Sequence, residues 1–263
     1  MDIRTGCSGW SYDQWVGPFY PLGTKPSDYL RIYSRIFDLV EIDSSFYGIP
    51  DIRTVENWNK SVPDHFLFTA KMPQTVTHEL RLRNSMDEAK RFLDVIRILG
   101  EKLASVLIQL PPSLTFNEGF GRLSKLLADL PTEFRYSVEF RNDSWFVDET
   151  FSILRENSVA LTWSEIPQST VPPDITSDFV YLRFVGDRSI SEKEFGRIKI
   201  DRSHEIEFWT KEIMEKKDMI RHAYVLSNNH FQGFGPGTVN LFRKLSGLEP
   251  VDWTIKTGQS RLI

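Results

Sequence analysis

One cysteine, Cys7, stands in the 263 residues. A single thiol excludes an internal disulfide framework and any thiolate cluster for zinc or iron and sulfur, and it suits a reducing compartment. No window of about 18 uninterrupted apolar residues occurs, which speaks against a membrane-spanning helix. The start, MDIRTGCSGW, lacks the basic and apolar stretches of a secretory leader. The expectation is a cytoplasmic protein with no membrane partner. Charge of one sign is also lacking: 32 basic against 36 acidic residues leave −4, so no general basic field attracts nucleic acid, and an anion site must be local. Histidine is sparse, with five in the chain, and no H-x-H or HExxH spacing appears. Glu41, Asp43 and Glu139 have oxygen ligands for magnesium or manganese, but paired carboxylates are as often salt-bridged. No metal is assigned, no cofactor is implied, and the oligomeric state is open.

What is present is a core-forming composition, 40% hydrophobic and 13% aromatic, arranged as short apolar runs with amphipathic segments between them. Eight runs read as strands: Ile3–Cys7, Leu39–Ile42, Phe66–Ala70, Ser105–Gln109, Arg135–Phe140, Ala160–Trp163, Phe179–Phe184 and Ala223–Leu226. The clearest helix candidates are Pro26–Phe37, Ser85–Leu99, Gly119–Leu130, His204–Met214 and Thr238–Leu245. Ser85 with Glu88 forms a capping-box pattern, and Ser203 is placed to cap the helix at His204. Eight strands favour a TIM-like (β/α)8 barrel over an open dinucleotide-binding sheet, whose G-x-G-x-x-G turn is missing after the first strand. Residues 1–263 are read as one such domain. Three prolines between Ser164 and Thr176 predict a degenerate unit after strand six, with little helix.

Barrel active sites sit at the carboxyl ends of the strands. Polar residues ending the runs are therefore the candidates: Glu41, Lys71, Gln109, Glu139, Arg141, Trp163, Arg183, Asn228 and Asn229. A charge buried without a partner costs several kcal/mol, so the charged members must pair or meet a ligand. In the catalytic set Glu41, Lys71 and Glu139, either Glu41 or Glu139 is read as the proton acceptor or donor and Lys71 as tuning it, with Arg141 and Arg183 holding an anionic group. Loop aromatics Trp10, Tyr12, Tyr47 and Trp145, together with His78, complete the substrate-binding set, since aromatic faces beside charges suit sugar rings or bases. The glycine-rich turns Val185-Gly186-Asp187 and Gln232–Thr238 fit the phosphate-binding position of many barrels, although tight turns alone also explain them. Cys7 has no histidine evidently placed to activate it and reads as a packed residue.

Several ordered motifs carry a resemblance: Gly6-Cys7-Ser8-Gly9-Trp10-Ser11-Tyr12, Val40-Glu41-Ile42, Ser45-Phe46-Tyr47, Lys71-Met72-Pro73, Gln109-Leu110-Pro111-Pro112, Glu139-Phe140-Arg141, Ser144-Trp145 and Asn228-Asn229. The chain resembles the YecE-like family, domain of unknown function 72, over nearly its whole length. The resemblance implies a TIM barrel similar to the xylose-isomerase-like and endonuclease IV barrels, and no activity comes with it. Asp43, Asn142 and Val185 depart from the family's usual Asn, His and His. Two potential histidine ligands or proton carriers are thus absent.

The primary functional reading is an enzyme using acid–base catalysis on a sugar-like or phosphorylated small molecule. The alternative is a nucleic-acid-binding or DNA-processing barrel of endonuclease IV-like type, which the net charge and the missing histidines disfavour. A non-catalytic ligand-binding barrel is the third.

Overall fold

The computed structural model describes residues 1–167 and 169–256. Eight parallel strands close into a barrel in chain order: β1 (Asp2–Ser8), β2 (Leu39–Ile42), β3 (Leu67–Lys71), β4 (Leu103–Gln109), β5 (Tyr136–Glu139), β6 (Ala160–Glu165), β7 (Phe179–Phe184) and β8 (His222–Ser227). The helices are α1 (Tyr29–Tyr33), α2 (Ile52–Ser61), α3 (Met86–Ile96), α4 (Phe116–Asp129), α5 (Asp148–Glu156), α6 (Ser203–Glu215), α7 (Asn229–Gln232), α8 (Gly235–Leu245) and α9 (Trp253–Lys256). Among the described residues none is long and apolar enough to cross a membrane.

Alternation along each strand splits the apolar residues into two sets. The larger packs strands against helices, with Val40, Phe68, Ile108, Val138, Leu161 and Leu182 meeting residues such as Val55, Phe92, Leu123, Leu154 and Ile206. The smaller is built from strand residues alone, among them Leu39, Leu107, Ala160, Tyr181 and Leu226, and fills the barrel interior. Closure between β1 and β2 depends on Gly6, because a Cβ there would lie 1.8 Å from the Leu39 carbonyl oxygen. The Tyr33 hydroxyl bridges the same joint, donating to Leu39 O at 2.9 Å and accepting from Cys7 N at 2.6 Å.

The unit after β6 is degenerate as expected: the described residues from Ile166 to Asp178 form no helix before β7 begins. Among the described residues four helices are absent from the sequence candidates, the four-residue α7 and α9 and the longer α2 and α5. α2 and α5 are dominated by polar residues, and Val55 is the one buried side chain of α2. Their apolar stripes are too narrow to register as periodicity. The segment read as a helix over Pro26–Phe37 is a 3-10 turn at Pro26–Asp28 followed by the five residues of α1. Two caps also differ. Ser85 holds the N-cap position of α3, but its buried hydroxyl makes no capping bond. At α6, Asp201 is the acceptor, taking a 3.0 Å bond from Ser203 N.

Candidate functional site

Residues two apart on a strand share a face, so the residues that end the interior-facing rows come together at the carboxyl end of the barrel. Arg183 on β7 is the centre of this layer, with its side chain only 3% exposed. Its guanidinium donates to Glu41 Oε1 through Nη2 at 2.5 Å and to Glu139 Oε2 through Nη1 at 2.6 Å. Both glutamates are fully buried. Glu41 Oε2 accepts from the Tyr181 hydroxyl at 2.6 Å, and that hydroxyl lies 2.7 Å from Thr69 Oγ1. Glu139 Oε1 accepts from Gln109 Nε2 at 2.7 Å and also from Arg141 Nε. Every carboxylate oxygen of the pair is thus engaged. Burial alone raises a carboxyl pKa, but the adjacent Arg183 overcomes it at Glu41, and Arg141 with Arg183 overcomes it at Glu139. Both are held below the ordinary carboxylate range. Held this low, both stay ionised near neutrality, with their oxygens engaged by Arg183, Tyr181, Gln109 and Arg141.

Above this layer opens a cavity of about 230 Å³, in contact with Asp43, Lys71, Gln109, Arg141, Arg183 and Asn228 on the strand ends and with Val185–Arg188 and His230 on the loops. Lys71 ends β3 with 8% exposure and points its Nζ at the Phe46 ring, 4.0 Å from the centroid. Among the described residues its ammonium makes no ion pair within 4.0 Å and no side-chain hydrogen bond. Burial lowers its pKa, and Arg183 lowers it further against the pull of Asp43, Glu41 and Glu139. Asp43 moves the other way. Burial and then Glu41 push its carboxyl up to about 6. The site therefore holds a lysine displaced downward and an aspartate displaced upward, the pattern of groups tuned for proton transfer. Arg188, at the rim, makes no ion pair within 4.0 Å among the described residues, and its backbone is left-handed at φ 63°.

The structure separates the remaining sequence candidates. His78 lies beside Phe46, its Nδ1 2.8 Å from Thr77 Oγ1, and burial together with Lys71 pushes it down to about 4, so it is neutral. Tyr47 stands at the rim, 74% exposed. Trp10 packs edge-on against Trp58, and the Tyr12 hydroxyl is committed to Ser8 O at 2.7 Å. Trp163, Trp145 and Asn229 lie outside the cavity. Trp163 has the wrong parity: Thr162 and Ser164 pair with the interior residues Tyr181 and Arg183, so the indole between them points outward, onto Trp209 and the Asp174 carbonyl. Trp145 stacks on Phe140 and donates to Leu114 O. Asn229 Oδ1 accepts from Trp15 Nε1 and from Gly235 N, which ties the first loop to the start of α8. That bond occupies the first N–H of α8, Gly233 N is bonded to Asn229 O, and Gly235 is buried, so this turn is a packing device and not an open phosphate cradle. Cys7 is buried, and burial raises its thiol pKa, consistent with packing.

Asp43, Asp187, Arg188 and His230 line the cavity but are not in the catalytic or substrate-binding set expected from sequence, where Asp43 is weighed only as a metal-oxygen ligand and Asp187 only as part of a glycine turn. Asp43 ends the same interior row as Glu41 and is recoverable by counting two residues on. Asp187 and Arg188 sit on an irregular loop whose course no periodicity encodes. Gly186 brings that loop against the barrel: its φ is 79°, and an added Cβ would lie 2.3 Å from His230 O. Gly186→Ala is expected to cost at least about 1–3 kcal/mol from the left-handed backbone alone, measured as a lowered urea midpoint. Among the described residues no group of three His, Cys, Asp or Glu side chains is arranged to hold a metal ion.

Asp43 also gives a pH signature. Its folded pKa of about 6 exceeds the unfolded value of about 3.9. Its contribution is therefore fully present below about pH 4 and is lost as pH rises through about 6. Asp43→Asn removes that loss. With its side chain 31% exposed, the variant is expected to exceed the parent by about 1–2 kcal/mol at pH 8 and by nothing at about pH 4. Denaturant unfolding at the two pH values measures the gap; a gap that is constant with pH contradicts the assignment.

A closed parallel barrel with its polar cavity at the strands' carboxyl ends defines the class: a TIM-like α/β barrel. Residues 4–260 match the family model described as "Protein of unknown function DUF72", and the chain belongs to that family. It is 28% identical over 260 residues to UPF0759 protein YunF of Bacillus subtilis (strain 168), covering 88% of this chain and 90% of that one. It is 32% identical over 144 residues to UPF0759 protein YecE of Escherichia coli (strain K12), covering 55% of this chain and 50% of that protein. The crystal structure of a DUF72 family protein from Thermotoga maritima MSB8 superposes with a TM-score of 0.79 at 26% identity, over 93% of this chain and 99% of that one. One from Enterococcus faecalis V583 gives 0.74 at 25%, over 94% and 96%.

Proposed function

We propose that the barrel is a cytoplasmic enzyme that binds a small, anionic, sugar-like or phosphorylated metabolite in the mouth and handles protons with Lys71 and Asp43. The observation that carries this reading is the buried Lys71 ammonium, without an ion-pair partner among the described residues, facing a polar cavity. A structural lysine at that depth is normally paired, because its desolvation is otherwise uncompensated. Arg188 adds a second unpaired cation at the rim, so the cavity favours a ligand with negative charge. At about 230 Å³ the space is below the roughly 300–1,000 Å³ of sites for drug-sized ligands, which fits a small metabolite. Asp43, poised at about 6, exchanges a proton readily near neutrality. Arg183, Arg141 and Gln109 hold the floor beneath the reacting groups.

A thermal-shift panel of sugar phosphates, free sugars, nucleotides and short DNA tests this. A sugar phosphate or related small anion is expected to raise the Tm in a concentration-dependent way. Stabilisation by DNA alone, vanishing with added salt, would replace this reading by the nucleic-acid one.

A further inference from the structure

We propose that Lys71 is a covalent catalyst, whose Nζ forms an imine with the carbonyl group of an aldehyde or ketone substrate held in the mouth. The proposal rests on the reading of the mouth as a metabolite site and names the substrate class: small phosphorylated or hydroxylated carbonyl compounds. Four observations point to it. Lys71 ends a barrel strand, and its backbone is fixed by Ser45 Oγ, which accepts from Lys71 N at 3.2 Å and donates to Lys71 O at 2.7 Å. Its amine is buried, yet it borders the open cavity and is not consumed by an ion pair within 4.0 Å among the described residues. The Phe46 ring, 4.0 Å away, covers one side and leaves the cavity side for an incoming carbon. Desolvation disfavours the charged amine and Arg183 adds to it, which together outweigh the pull of Asp43, Glu41 and Glu139 and are the two means by which a lysine becomes a nucleophile.

The neighbouring carboxylates divide the remaining work. Glu41 and Glu139 are bound to the arginines and to Gln109, leaving Asp43 as the carboxyl able to give and take a proton. In the first step the Nζ lone pair forms a bond to the carbonyl carbon, the C=O π pair moves to oxygen, and that oxygen takes the Asp43 proton. Nitrogen then loses a proton to the Asp43 carboxylate. The nitrogen lone pair forms the C=N bond as the hydroxyl group leaves as water with the proton now carried by Asp43, which gives the protonated imine beside the Asp43 carboxylate; loss of the remaining N–H proton back to that carboxylate gives the neutral imine. One amine and one carbonyl thus give one imine and one water, with no oxidant or reductant. Once protonated, the imine withdraws electrons from the adjacent carbon, which permits proton removal or carbon–carbon cleavage there, and hydrolysis restores Lys71.

Reductive trapping tests the step. The full chain is incubated separately with glycolaldehyde, dihydroxyacetone phosphate and glyceraldehyde 3-phosphate in the presence of sodium cyanoborohydride at about pH 7, then analysed by intact mass and peptide mapping. The expected result is one adduct per chain, at Lys71, formed at least tenfold faster than on any surface lysine. Lys71→Arg, which keeps the positive charge but cannot form the imine, is expected to lose that adduct while its surface lysines label as in the parent. Adducts spread over surface lysines at equal rates, or an unchanged pattern in Lys71→Arg, overturn the covalent role. Stabilisation by these phosphates without trapping at Lys71 overturns the imine and leaves the metabolite site standing. Absence of both overturns the two together.

Discussion

Arg183→Ala is expected to lose roughly 3–5 kcal/mol of stability, because it leaves Glu41 and Glu139 buried and ionised without their shared guanidinium. For a domain of about this size, roughly 2–4 °C accompanies each kcal/mol, so the Tm is expected to fall by roughly 6–20 °C. The pH dependence identifies the cause. In the parent, both carboxyls are held low, so their contribution is present above about pH 4.3 and lost as pH falls through the lower folded values. In the variant, burial is less opposed and raises them, so the deficit is expected to be greatest at pH 8 and to shrink as acid protonates the pair. Arg183→Lys, with one amine for two carboxylates, is expected to fall between. A deficit independent of pH would mean that lost packing, and not unpaired charge, dominates.

Lys71→Met is expected to behave in the opposite way. The substitution removes a buried amine that has no hydrogen-bonding side-chain partner among the described residues and replaces it with an apolar chain of similar length. No partner is orphaned, so stability is expected to stay within about 0.5 kcal/mol of the parent or to rise. Ligand binding is expected to suffer instead. A charge-assisted hydrogen bond contributes about 1.5–3 kcal/mol, so the Kd for an anionic metabolite is expected to rise roughly 10- to 150-fold. Calorimetric titration with the best stabilising sugar phosphate measures this. A destabilised Lys71→Met with unaltered affinity would assign the lysine to the ion network and remove it from the site. The contrast with Arg183 separates the floor of the mouth from its working groups.

The barrel was legible because its strands are short apolar runs at regular spacing, and β2 and β7 match their expected bounds, Leu39–Ile42 and Phe179–Phe184. Helices with a narrow buried stripe were not, as α2 shows. The strand-borne charges Glu41, Lys71, Glu139, Arg141 and Arg183 meet at one face because each ends an inward-facing row. Their division of labour was hidden, since hydrogen-bond partners from β4 and β7 decide whether a carboxylate is free or fixed. Trp163 illustrates the cost of a parity error: one residue along a strand turns a mouth residue into one packed against the helices. Trp145 ends a 3-10 turn and Asn229 opens the four-residue α7, both too short for periodicity to state a direction. The cavity's far wall, from Gly186 to Arg188, is set by a left-handed glycine against the His230 carbonyl, a contact between chain segments more than forty residues apart.

The chemistry of the mouth turns on the state of one amine. Titrating the Lys71 side-chain Cε resonance by NMR, assigned by its disappearance in Lys71→Met, tests it most directly. The predicted result is a midpoint clearly below the ordinary lysine value of about 10.4, with a second inflection as Asp43 titrates near 6. A midpoint at or above the ordinary value would show a lysine held charged by the carboxylates beneath it, and the mouth would then be a salt-bridged lid on the barrel without a reactive group.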